Sequence, residues 1–157
     1  MTLFPGRALQ DDGDRSQDFR AWRFNLGHGA VCDVDQIEYR VVNGVVRPVA
    51  VIELCGADMQ SDEHPGGVRP GQDPSPAFFA ACLDKVSPER LQGKLLRLLA
   101  SRLEVPLILV MYIVGHLERG LWVSIDGKFF HDKDGKPHRW RPMTLEQYEG
   151  FLKKLTA

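Results

Sequence analysis

Three carboxylates stand where apolar residues are expected. Asp33 and Asp35 interrupt an alternating stretch from about Val31 to Val42, and Glu53 ends the apolar run Val49-Ala-Val-Ile52. A carboxylate taken out of water without a partner is costly, so one embedded in a strand calls for a cation or a donor nearby. Asp33 and Asp35 share a strand face with Val31, Ile37 and Tyr39, while Glu53 shares one with Val49, Val51 and Cys55. Carboxylates arriving from two adjacent strands at one end of a sheet make an oxygen-ligand site for a hard divalent cation, magnesium or manganese (Mg2+ or Mn2+). Such an ion activates water and clamps a phosphodiester. Two readings of Asp33 and Asp35 stand side by side: ligands of that site, or solvent-facing residues of an edge strand. Glu38, on the opposite face, is expected at the surface or paired with an arginine.

The elements that must position these groups are legible from pattern. Asn43-Gly44 joins the two strands as a hairpin turn, because both positions tolerate positive φ. A strict two-residue turn pairs Val42 with Val45 and sets Asp35 opposite Ile52, which sends Glu53 to the other side of the sheet. A shared site therefore requires one extra residue in the hairpin. Pro48 cannot donate to the ladder, so a bulge is expected near Arg47-Pro48.

The return strand, Val45 to Cys55, is apolar on both faces in its middle, as befits a central strand covered by helices on each side. Residues 56–76 read as a long loop, a lid or a disordered segment. Ser87-Pro88-Glu89 reads as a helix start, followed by Leu91, Leu95, Leu98, Leu99 and Leu103 at helical spacing. Val105 to Val114 is a second buried strand, Leu121 to Ile125 a third, and Asp126-Gly127 a turn. Thr144 caps a closing amphipathic helix. The strand–helix–strand crossover in the middle requires a parallel pair, so the expected fold is α/β: a mixed central sheet with a long hairpin, flanked by helices on both faces.

Other chemistry is less well supported by spacing. The histidines His28, His64, His116, His131 and His138 show no ligand repeat, and a zinc site from Cys55, Asp62 and His64 fits no standard framework. Cys82, beside Ala80-Ala81, reads as a small helix residue. The three cysteines, Cys32, Cys55 and Cys82, are odd in number and irregularly spaced, which argues against a disulfide framework and suits a reducing compartment. Arg90, Lys94, Arg97 and Arg102 lie along one helix, while Lys128, Lys133, Lys136, His138, Arg139 and Arg141 cluster near the C-terminal turn with Trp140. Of these, Arg90, Arg97, Lys133, Lys136, Arg139 and Arg141 are candidate contacts to a nucleic-acid backbone. The alternative for the helix cations is a solvated face.

Asp33-Val-Asp-Gln-Ile-Glu-Tyr-Arg40 followed by Pro48-Val-Ala-Val-Ile-Glu-Leu-Cys55 resembles the hairpin of the PD-(D/E)XK (restriction-endonuclease-like) nuclease superfamily. The likeness extends to Trp22-Arg23, to Gln92 with the later Leu103-Glu-Val-Pro-Leu-Ile-Leu-Val-Met-Tyr112, and to the closing Met143-Thr-Leu-Glu-Gln-Tyr-Glu-Gly-Phe-Leu152. These are similar to a group of small bacterial and phage proteins of that fold, and the resemblance covers roughly residues 17–155. It implies that Asp35 (or Asp33) and Glu53 bind the metal. It also implies a lysine two residues after the glutamate, where this chain has Cys55. A thiol supplies no fixed positive charge. Either another cation replaces the lysine, with Lys94 as the candidate and Gln92 lining the site, or the domain is a non-catalytic module that binds nucleic acid or protein. DNA is the partner implied, and a homodimer or a larger assembly is a further implication.

With 157 residues, 43% hydrophobic and 26% charged, the chain is long enough for one packed core. Residues 1–16 are expected as a flexible arm with a short helix from Ser16, and residues 17–157 as a single domain. The formal charge of −1 gives no global attraction to a polyanion, so any nucleic acid must be met by a local patch. No apolar run reaches membrane length and no secretory leader is visible, so cytoplasmic residence is expected.

Overall fold

The structure is a computed structural model, and it describes residues 34–155. The N-terminal arm, the helix expected from Ser16, Trp22-Arg23, Cys32 and Asp33 lie outside the described residues.

The described chain forms β1 (Gln36–Val42), β2 (Val45–Ala57), α1 (Pro76–Lys85), α2 (Leu91–Leu103), β3 (Leu107–Ile113), β4 (Leu121–Ile125), β5 (Phe130–His131), β6 (Pro137–His138), β7 (Arg141–Met143) and α3 (Leu145–Lys154). Five strands make one sheet in the order β1-β2-β3-β4-β7, and β5-β6 form a separate ribbon. β2 and β3 are parallel, while the other pairs are antiparallel. The sheet is therefore mixed, as a helical crossover between β2 and β3 demands. Among the described residues no helix is long and apolar enough to cross a membrane.

Helices cover both faces. On one, Ala50, Ile52, Ile108, Val110 and Val123 are buried beneath Tyr148, Phe151 and Leu152 of α3. Thr144 caps that helix in a reciprocal box with Gln147. On the other face, Phe78 and Phe79 of α1 pack on Met111, Ile113 and Trp122. Glu38 pairs with Arg40, whose guanidinium also donates to the carbonyl of Leu152 at 2.6 Å, as one of the two expectations for Glu38 required.

Three expectations need correction. The Ser87-Pro88-Glu89 segment is a turn between two helices, and α2 begins at Leu91 with Arg90 as its cap. The helix-start signal that operates is Ser75-Pro76, with proline in the first turn of α1. The buried face of α2 is centred on Gly93, Leu96 and Ala100, whereas Leu91 and Leu98 are exposed. The loop before α1 is shorter than residues 56–76 and is bonded to itself. Val68 N donates to Asp58 O at 2.8 Å, Gln60 N donates to Val68 O at 2.9 Å, and Val68 is buried.

Candidate functional site

The site begins with hairpin register. Asn43 and Gly44 take φ of 53° and 77°, giving a strict two-residue turn with Val42 opposite Val45. That register holds to Tyr39 opposite Pro48, and then Glu38 pairs with Ala50, leaving Val49 as the extra residue. The bulge lies one residue past Pro48. Beyond it Gln36 faces Ile52, so Asp35 falls beside Glu53 on a shared face. The Asp35 carboxylate is fixed there by Leu54 N, which donates to Oδ2 at 2.8 Å.

Glu53 is 1% exposed. Its Oε1 accepts from Gln92 Nε2 at 2.8 Å and lies 2.7 Å from Lys85 Nζ. Its Oε2 is buried and has no hydrogen-bond partner among the described residues. Burial pushes the Glu53 carboxyl above its ordinary range, and the neighbouring Asp35 pushes the same way, while the Lys85 contact opposes both. One oxygen of Glu53 is therefore paired with a cation, while the other has no hydrogen-bond partner among the described residues and the Asp35 carboxylate is near enough to raise the Glu53 pKa.

Two helix ends deliver the partners. Lys85 is the last residue of α1, where the helix dipole favours a cation. Gln92 lies in the first turn of α2, and Gly93 beside it lets that helix approach the preceding turn. A Cβ at Gly93 would stand 2.1 Å from the carbonyl oxygen of Ser87. The short α1–α2 turn and this close approach put Lys85 and Gln92 on the same carboxylate oxygen.

Cys55, at the position where the resemblance implies lysine, is bonded to Cys82 of α1 across a Cα–Cα distance of 6.0 Å. This overturns the expectation against a disulfide. Spacing along the chain says nothing about which helix crosses which strand, and α1 crosses β2 at this point. The zinc alternative fails with it, since Cys55 is consumed and His64 faces Asp58 at 3.8 Å.

The lysine beside Glu53 is not the one that the sequence singled out. Lys85 touches Glu53, whereas Lys94 is exposed on α2 and its charge acts on Glu89. Lys85 carries no motif, and it would have been found only by recognising α1 and its direction. Arg97 is not a free nucleic-acid contact. It holds Asp126 through two bonds of 2.9 Å and donates to Gly93 O at 3.2 Å. Arg90 pairs with Asp84. Lys133 and Lys136 are exposed near the β5–β6 ribbon, and Arg139 and Arg141 lie over the rings of Phe129 and Phe130, each at 5.8 Å.

No group of three His, Cys, Asp or Glu side chains suited to a metal occurs among the described residues. The protein oxygens on offer are those of Asp35 and Glu53. Magnesium is commonly bound through one or two carboxylates, with water and substrate phosphate completing its shell, so this donor set fits such an ion. The orphaned Oε2 beside a second carboxylate is where it would fit. No protein-family model matches the chain, and neither a curated protein nor a solved structure shows significant similarity to it.

Proposed function

We propose that this protein is a divalent-metal-dependent phosphodiester hydrolase of the PD-(D/E)XK type acting on DNA, with Lys85 replacing the lysine absent at Cys55. The observation that carries the reading is the Lys85–Glu53 contact of 2.7 Å on a buried carboxylate whose other oxygen is unpartnered and next to Asp35. Asp35 and Glu53 would hold magnesium or manganese. When bound, the ion supplies Lewis-acid polarisation of the phosphodiester. Gln92 fixes the Glu53 rotamer. Lys85, 45% exposed at its side chain, can meet an incoming phosphate while keeping its hold on Glu53. The cations around the β5–β6 ribbon are the surface available for the remaining backbone.

The test is cleavage of supercoiled plasmid and single-stranded DNA by the full chain with manganese and with magnesium. The wild type should nick, and Glu53→Gln and Asp35→Asn should not. No cleavage by the wild type in any combination would refute the reading.

A second reading, a non-catalytic binding module, is favoured by one observation. Lys85 and Gln92 already satisfy one oxygen of Glu53 without an ion. That reading expects DNA or protein binding that persists unchanged in Glu53→Gln.

A further inference from the structure

The disulfide falls at an informative place. Cys55 lies two residues after Glu53, on the same face of β2, and Cys82 lies one turn before Lys85 on α1. The bond therefore joins the strand that presents the carboxylate to the helix that presents the cation. Besides the bond, that end of α1 is held by polar contacts from α2 and its cap: Arg90 pairs with Asp84, and Arg97 Nη1 donates to Val86 O at 2.5 Å, neither of which touches Lys85. Cys82 is the one buried residue of the helix, and the aromatic contacts of Phe79 with Trp122 and Trp140 lie nearer its start. Val86, just past the helix, is buried and keeps the chain attached if the bond opens.

We propose that the Cys55–Cys82 disulfide is a redox-released clamp that positions Lys85 on Glu53. The proposal rests on the hydrolase reading only in taking this corner as the working site. The opening chemistry is thiol–disulfide exchange with a small thiol or dithiol. A thiolate attacks the sulfur of Cys55, the less buried of the two. The S–S bond breaks, a mixed disulfide forms on Cys55, and Cys82 leaves as a thiolate that takes up a proton. A second thiolate attacks the reagent sulfur of the mixed disulfide and releases Cys55, which is also protonated. Two electrons pass from the two reagent thiols, which end as a disulfide, to the protein pair. In an oxidising environment the clamp is closed, and in a thiol-buffered one it opens. Lys85 then loses its fixed approach to Glu53, while the sheet, α2 and Gln92 stay in place.

Acylation of lysines in the full chain by an N-hydroxysuccinimide ester, mapped by peptide mass, reads the position of Lys85 directly. Lys94, exposed in either state, is the internal reference. With the disulfide intact, Lys85 should react several-fold more slowly than Lys94. After dithiothreitol it should react at the rate of Lys94, and reoxidation should restore the protection. Cys82→Ser should give the fast rate with or without reductant. Glu53→Gln should give it with the bond intact, which separates contact with the carboxylate from burial in the helix. The proposal is overturned if reduction leaves the Lys85 rate unchanged, if Lys85 stays protected in oxidised Glu53→Gln, or if both cysteines titrate as free thiols under mild oxidant. Cleavage is no part of the readout, so a chain that cuts nothing would sink the hydrolase reading and leave the clamp standing.

Discussion

Two ion pairs lie under the same helices, and they are built to opposite ends. Arg97 and Asp126 use both carboxylate oxygens and two guanidinium nitrogens, with Gly93 O accepting in addition. That geometry ties α2 to the turn after β4 and leaves no carboxylate oxygen open. Lys85 and Glu53 share a single oxygen, and the second is buried beside Asp35 with no partner. A saturated pair is scaffold, whereas an unsaturated one stores a cost that a ligand can relieve. The difference sets Arg97, a nucleic-acid candidate by sequence, in an internal pair, and leaves Lys85 as the lysine in contact with the unsaturated carboxylate.

Substitutions should separate the two pairs cleanly. The largest effect is expected for Lys85→Ala, which removes the cation in contact with Glu53 that the proposed reaction requires. Cleavage per folded molecule should fall by about 10²–10³-fold, the usual loss for a preorganised charge-stabilising donor. Placing lysine at Cys55 in that background, as Cys55→Lys with Lys85→Ala, should recover part of the rate. No recovery would mean that the two positions do not serve the same charge.

Arg97→Ala should do the reverse. It breaks a half-buried, two-bond pair and should cost about 1–3 kcal/mol in denaturant unfolding, with cleavage per folded molecule preserved. A loss of cleavage at full stability would erase the distinction between the pairs.

A smaller effect follows from the protonation of Glu53. Its folded pKa is raised above the ordinary 4.5, mainly by burial. The stability it contributes is therefore present below that ordinary value and lost as pH rises through the folded pKa. The stability of the metal-free wild type relative to Glu53→Gln should fall across that window and then level off. A relative stability that rises with pH across the same range would contradict the desolvated state assigned to Glu53.

Much of the framework was legible because its signals are local. Asn43-Gly44 forms the turn it encodes, Thr144 caps α3, and the parallel β2–β3 pair follows from a helical crossover. The bulge was legible for a different reason: the turn and a shared face for Asp35 and Glu53 are compatible only with one extra residue. Lys85 and the disulfide were not legible. Ser75-Pro76 carries the same start signal as Ser87-Pro88, and choosing between them depends on packing. Even with α1 recognised, nothing in its ten residues says that its C-terminal end lies over Glu53. Those contacts are set by where the helix crosses the sheet, which no spacing along the chain encodes.

The most direct measurement is calorimetric titration of the oxidised full chain with manganese. The wild type should bind one ion, and Glu53→Gln and Asp35→Asn should each abolish or severely weaken that site, while Arg97→Ala leaves it intact. No binding by the wild type, or equal binding by Glu53→Gln, would contradict the assignment of the unpartnered Glu53 oxygen and Asp35 to a metal.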